Sequence, residues 1–226
     1  MSKKQQKKYE FTGETKVEFG ITLHRIRAVV AIAAIDVAAG DLGGWIEKES
    51  NLSLVSGDAW VSGNARVSGN ALVYGDALVS GDAWVSGNAW VSDNALVSGN
   101  ALVSDNALVS DNARVSGDAR VSDNALVSGD AWVSGNAWVS GNARVYGKII
   151  SATRTDGYTF TVFHDHEYVV HIAAGCRYFT IEEARQHWRA TRGGTKLGDE
   201  SLALIDHLER MAKLQDWQKP VAEAAE

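Results

Sequence analysis

The sequence predicts a mainly β chain: a parallel β-helix of short repeats, closed by a leader segment and followed by a small mixed α+β domain. Three observations carry this. Valine stands at position 55 and at every sixth position through 145, sixteen times without a slip. Alanine stands four positions after each of the first fifteen valines, from Ala59 to Ala143. After Tyr146 the period dissolves, and hairpin and helix-capping signals take its place.

A period of six does not fit the 3.6-residue turn of an α-helix. In the unit V-S-G/D-N/D-A-x, with x almost always Leu, Trp or Arg, the alanine, x and the next valine alternate in, out, in, as a strand requires. Small alanine and branched valine predict a narrow core. Gly or Asp, then Asn or Asp, supplies a corner, because these residues best tolerate left-handed backbone. Each repeat therefore reads as one short strand and one corner.

The pattern resembles the hexapeptide-repeat family, whose motif has an aliphatic residue first and a small residue fifth. Val55 and Ala59 fit, as do Val61 and Ala65, and so on to Val139 and Ala143. Serine at the second position departs from the family's usual Gly, Ala or acid. The resemblance implies a left-handed parallel β-helix with three repeats per triangular coil. About five to six coils follow, roughly 25 Å of prism at ~4.8 Å per strand. The expected organisation is a disordered basic start at 1–8, a capping leader at 9–54, the β-helix at 55–148 and a hairpin plus two-helix domain at 149–226.

With eighteen residues per coil, the x positions fall on three faces. The first reads Trp60, Leu78, Leu96, Arg114, Trp132. The second reads Arg66, Trp84, Leu102, Arg120, Trp138, and the third Leu72, Trp90, Leu108, Leu126, Arg144. Eleven of these fifteen are Leu or Trp, a large apolar surface for positions that point outward. Family members commonly pack as trimers, so the eleven are candidate oligomer-interface residues and a homotrimer is expected. Simple laddering along the surface is the competing reading. It predicts cation–π pairs one coil apart at Arg66 and Trp84, Arg114 and Trp132, and Arg120 and Trp138.

Open solenoid ends expose unpaired strand edges and need caps. In the leader, strand-like alternation covers Val17 to Ile26, and Gly40, Gly43 and Gly44 mark turns. ITLHRIRA followed by GDLGGWIEKESNLS, directly ahead of the repeats, resembles a group of phage and prophage proteins, as does GCRYFTIEEARQHW near the other end. At the C-terminal side, Ile149–Thr155, the Asp156-Gly157 turn and Tyr158–Phe163 read as a hairpin, with a third strand at Tyr168–Ala173. Thr180-Ile181-Glu182-Glu183 reads as a capping box, and a second helix is expected to start near Asp199.

A net charge of −6 argues against nucleic acid or an anionic membrane as partner, and the four outward arginines are spread over three faces. The run MSKKQQKK reads as a solvated arm. No apolar stretch follows it promptly, the segment Ala28–Ile35 is too short to span a bilayer, and the single cysteine excludes an internal disulfide. A cytoplasmic protein is expected.

Many hexapeptide-repeat proteins are acyltransferases using acetyl-CoA or acyl carrier protein, with a general-base histidine near a coil. Here all six histidines, His24, His164, His166, His171, His187 and His207, lie outside the repeats. No catalytic residue and no cofactor is therefore assigned, although a base delivered from a neighbouring subunit keeps the enzyme reading open. His164, His166, His171 and Cys176 are weak zinc candidates, since the first two would share a strand face, but their spacing matches no zinc motif. Asp93, Asp105, Asp111 and Asp123 are explained by the corners better than by calcium. The expectation is a non-enzymatic, phage-related scaffold that oligomerises through its β-helix and binds a protein partner, of host-defence or phage origin, through its ends. A structural virion component and an acyltransferase are the alternatives.

Overall fold

A computed structural model describes residues 7–54, 57–175, 177–215 and 217. Val55, the first valine of the series, lies outside the described residues, as do positions 1–6 of the basic start. The chain is a parallel β-solenoid of about six turns with a small domain of one sheet and two helices behind it. Three leader strands come first: β1 (Tyr9–Glu18), β2 (Ile21–Ala28) and β3 (Leu42–Ile46). Fifteen two-residue strands follow among the described residues, from β4 (Trp60–Val61) to β18 (Arg144–Val145). The C-terminal domain comprises β19 (Ile150–Thr153), β20 (Thr159–His164), β21 (Val170–Ala174), β22 (Arg177–Thr180), α1 (Ile181–Arg192) and α2 (Lys196–Leu214).

The repeat alanines from Ala59 to Ala143 and the valines from Val61 to Val145 are buried, and together they form the solenoid core. Every pairing between repeat strands joins residues eighteen apart, such as Leu78 with Leu96 and Leu108 with Leu126. The three expected faces are thus three parallel sheets. The N–H groups of x and of the serine position donate to carbonyls seventeen residues on, as from Trp60 to Ala77 at 3.0 Å and Ser62 to Val79 at 2.9 Å, while most alanine N–H groups turn back, as from Ala65 to Ser62 at 3.2 Å.

The two corner positions do different work. Only the first, Gly or Asp, lies at positive φ: Asp93, Asp105, Asp111 and Asp123 stand at 57 to 60°. The Asn or Asp that follows, expected from sequence to share this role, does not adopt positive φ among the described residues. Its side chain instead joins coil to coil. Asn70, Asn88, Asn106, Asn124 and Asn142 form one ladder, each Nδ2 donating to the next Oδ1 at 3.0 to 3.2 Å.

Because the N–H groups that join coil to coil all donate toward later coils, the first-coil carbonyls that would accept such bonds have no donors from the repeats. The leader supplies them. Trp45 N–H donates to Ala65 O, Glu47 N–H to Val67 O and Ser53 N–H to Val73 O, all within 2.9 to 3.0 Å. The buried Asn51 amide donates to Ala71 O at 2.8 Å and Gly69 O at 3.2 Å. Lys8 Nζ donates to Gly57 O and Ala59 O. Thus Lys7 and Lys8 depart from the expected solvated arm: Lys8 is buried and Lys7 pairs with Glu49 at 2.8 Å.

Two further leader expectations are corrected. The stretch Val17 to Ile26 contains a hairpin turn at Phe19-Gly20, both at positive φ. Gly43 and Gly44 lie within β3, not in turns. A Cβ on Gly43 would sit 2.5 Å from Ile26 and 2.8 Å from Trp60, and one on Gly44 would sit 2.7 Å from Val61. Glycine is needed because β3 lies directly on the first coil.

The hairpin and both helices of the C-terminal domain stand near their expected places. The capping box is present: Thr180 N–H donates to Glu183 Oε2 at 2.8 Å, and Glu183 N–H to Thr180 Oγ1 at 3.3 Å. A fourth strand, β22, was not anticipated, and α2 begins at Lys196 because Thr195 caps it. The sheet has two covered faces. Phe160, Val162 and Ile172 pack on Trp188, Ile205 and Leu208 of the helices. Phe163 and Ala173 join the solenoid core and cap its last coil.

Candidate functional site

The outward rows are not equally available. Trp60, expected on an interface, is only 3% exposed, so it belongs to the core beneath the leader. On the same face, Leu78 and Leu96 line a pocket of about 490 Å³ with Ile35 and Val37 of the leader. On the second face, Phe19 stacks on Trp84 at 5.2 Å, and Trp84 Nε1 donates to Ser68 Oγ at 3.0 Å. The third face keeps its row. Trp90 is 50% exposed, and Leu72, Leu108 and Leu126 are half-buried in register beside it. Leu102 is half-buried on the second face, and Trp132 and Trp138 stand exposed near the C-terminal end.

Of the three expected cation–π pairs, Arg66 stands over Trp84, 5.2 Å from the ring centre. Arg114 and Arg120 are register neighbours of Trp132 and Trp138, without such a contact among the described residues. Arg66 differs because the leader anchors it. Glu18 accepts from Arg66 at 2.7 Å, and its carboxyl is held below its usual range by hydrogen bonds from Lys16 and Arg66.

The histidines separate. Register pairs Phe163 with His171 and His164 with Val170, so His164 and His171 point to opposite faces of the sheet. His166 lies beyond β20 and is exposed, sharing no strand face with His164. Cys176 lies outside the described residues. Among the described residues no three His, Cys, Asp or Glu side chains gather as a metal site. His164 is packed in place, its ring stacked on Tyr168 at 4.9 Å and its Nδ1 2.8 Å from Asp165 O.

Asp165, overlooked in the sequence, organises this region. Its Oδ1 accepts from the N–H groups of Glu167 and Val169 at 2.9 and 3.0 Å, and its Oδ2 lies 2.9 Å from His171 Nε2. Burial pushes its carboxyl up, but the hydrogen bonds from His171, Val169 and Glu167 together bring it below the ordinary value. His171 stacks on Tyr178 at 4.6 Å. The arrangement pins the turn between β20 and β21.

The acidic corners are likewise used internally. Asp111 Oδ2 accepts from Gly129 N–H, and Asp123 Oδ2 from Gly141 N–H, each at 2.9 Å. Asp93 and Asp105 accept from the hydroxyls of Ser92 and Ser104 at 2.9 and 2.8 Å.

Comparison with known families matches four segments of the solenoid, residues 59–75, 65–81, 73–87 and 119–135, to the YdcK β-solenoid repeat. No curated protein matches the chain. Among the described residues no helix is long and apolar enough to cross a membrane.

Proposed function

We propose that this chain, a β-solenoid protein of the hexapeptide-repeat kind, is a non-enzymatic scaffold that self-associates through its third face and binds a macromolecular partner through its end domains. The observation that carries the reading is the unequal covering of the rows. The leader covers Trp60 and stacks on Trp84, whereas Trp90 keeps half its surface exposed between half-buried leucines. An apolar row repeated on each turn of a rigid rod suits a partner of the same pitch, and a second or third copy of the chain has that pitch by construction. A closed trimer about the solenoid axis direction is the favoured assembly.

The partner is read as a protein of host-defence or phage origin, and the compartment as bacterial cytoplasm. Both rest on the resemblance of GDLGGWIEKESNLS and GCRYFTIEEARQHW to phage and prophage proteins. Light scattering coupled to size exclusion tests the assembly. A stable mass of three 24.3 kDa chains supports it, and a monomer at every concentration overturns it.

A further inference from the structure

The C-terminal domain holds a pocket of about 510 Å³ that neither the rows nor the caps require. Three parts of the chain converge on it. Arg154 and Asp156 come from the turn between β19 and β20, Arg177 from the start of β22, and His187, Trp188 and Arg192 from α1.

The charges around the pocket do not balance. Arg154 is satisfied, donating to both Asp156 oxygens at 2.8 and 2.7 Å and to Ser201 Oγ at 2.8 Å. Arg177 and Arg192 are exposed, and neither forms an ion pair among the described residues. Trp188 is 4% exposed, and its indole Nε1, a donor only, is buried without an acceptor. Burial first, and the Arg177 charge second, hold the His187 imidazole below its ordinary value. Two unmatched guanidinium groups thus flank one pocket in a chain of net charge −6.

Favourable placement at the C-terminal end of α1 accounts for Arg192 alone. It does not account for Arg177, which begins a strand, or for the unsatisfied indole. The backbone at Arg192 is held in place. Its carbonyl accepts from Thr195 Oγ1 at 2.7 Å, and a Cβ on Gly198 would lie 2.0 Å from that oxygen. Guanidinium forks match the oxygens of a phosphate group, to which they donate in pairs.

We propose that this pocket binds a phosphate group, held chiefly by Arg177 and Arg192. The group belongs either to a free phosphate or polyphosphate, or to the end of a nucleotide. The ligand is small: the pocket volume lies in the range of small-molecule sites, and the surrounding chain is acidic.

The test is calorimetric titration of the full-length protein with inorganic phosphate, pyrophosphate and ADP at low salt, with Arg177→Gln, Arg192→Gln, the double variant and Arg189→Gln. Arg189 is an exposed arginine of α1 that does not line the pocket. Saturable binding that weakens about tenfold in each single pocket variant, and vanishes in the double, supports the proposal. Tighter binding of ADP than of pyrophosphate assigns the group to a nucleotide, and equal binding assigns it to free polyphosphate. No saturable binding by any of the three up to about 10 mM overturns the site. So does an equal loss in Arg189→Gln, which would make the attraction a general charge effect. Far-UV circular dichroism confirms that each variant folds.

Discussion

Lys8 Nζ lies 2.8 Å from the carbonyl oxygen of Gly57, and 3.3 Å from that of Ala59, at the open edge of the first coil. The ammonium does there what the preceding coil's N–H groups do elsewhere. Burial holds the amine below its ordinary value, while Asp58 and Asp76 oppose that shift. Lys8→Met keeps the apolar stem and removes the donor. It is expected to lower stability by about 1–3 kcal/mol, as for buried acceptors left unpaired. A lower urea midpoint at unchanged slope measures this, and an unchanged midpoint would show that water replaces the ammonium there.

The corner chemistry predicts an unusual order of substitutions. Gly117 has φ +69°, and an added Cβ would lie 3.0 Å from Gly135 N. Gly117→Ala is expected to cost about 1–2 kcal/mol from left-handed backbone strain alone. Gly117→Asp should cost less despite its size, because its carboxylate can accept from Gly135 N–H as Asp111 accepts from Gly129 N–H. Thermal unfolding of the two variants settles the order. A less stable aspartate variant would contradict the account.

Acid sensitivity should concentrate in the C-terminal domain. Hydrogen bonds from Arg154 hold the Asp156 carboxyl at about 2, against an ordinary 3.8. Since the folded value is the lower one, this contribution is complete above the ordinary value and lost as pH falls toward about 2. Glu183, through Thr180, and Glu209, through Lys213 and Arg185, are lowered too and act with the same sign. Urea midpoints measured across this window should fall with acid in the native chain. They should fall less steeply in Asp156→Asn, and identical slopes would refute the assignment.

The third-face assembly can be separated from general stickiness. Trp90→Glu places a charge in the middle of the exposed row and is expected to reduce the solution mass from three chains to one at about 10 μM. Trp138→Glu, equally polar but on the second face, should leave the mass unchanged. Dissociation by both would remove the preference for the third face.

Much of this molecule is legible in its local pattern. The unbroken six-residue spacing of valine, taken with the three repeats per coil that the hexapeptide-repeat resemblance implies, gives an eighteen-residue coil and with it which residues stack: Leu78 under Leu96, Arg120 under Trp138. Asp156-Gly157 and the Thr180–Glu183 box were equally readable, because a tight turn and a helix cap are completed within a few residues. What the tertiary structure alone decided are relations between separate elements. Trp60 and Trp132 occupy equivalent repeat positions, yet one is buried and the other 49% exposed, because the leader folds back over only the first coils. His164 and His171 are parted by the register of β20 against β21, which their spacing does not specify. Arg177 and Arg192 share a pocket only because β22 runs into α1 and α1 packs back on the sheet. Periodicity acts residue by residue along the chain, whereas coverage, facing and charge balance arise when distant segments compete for the same surface.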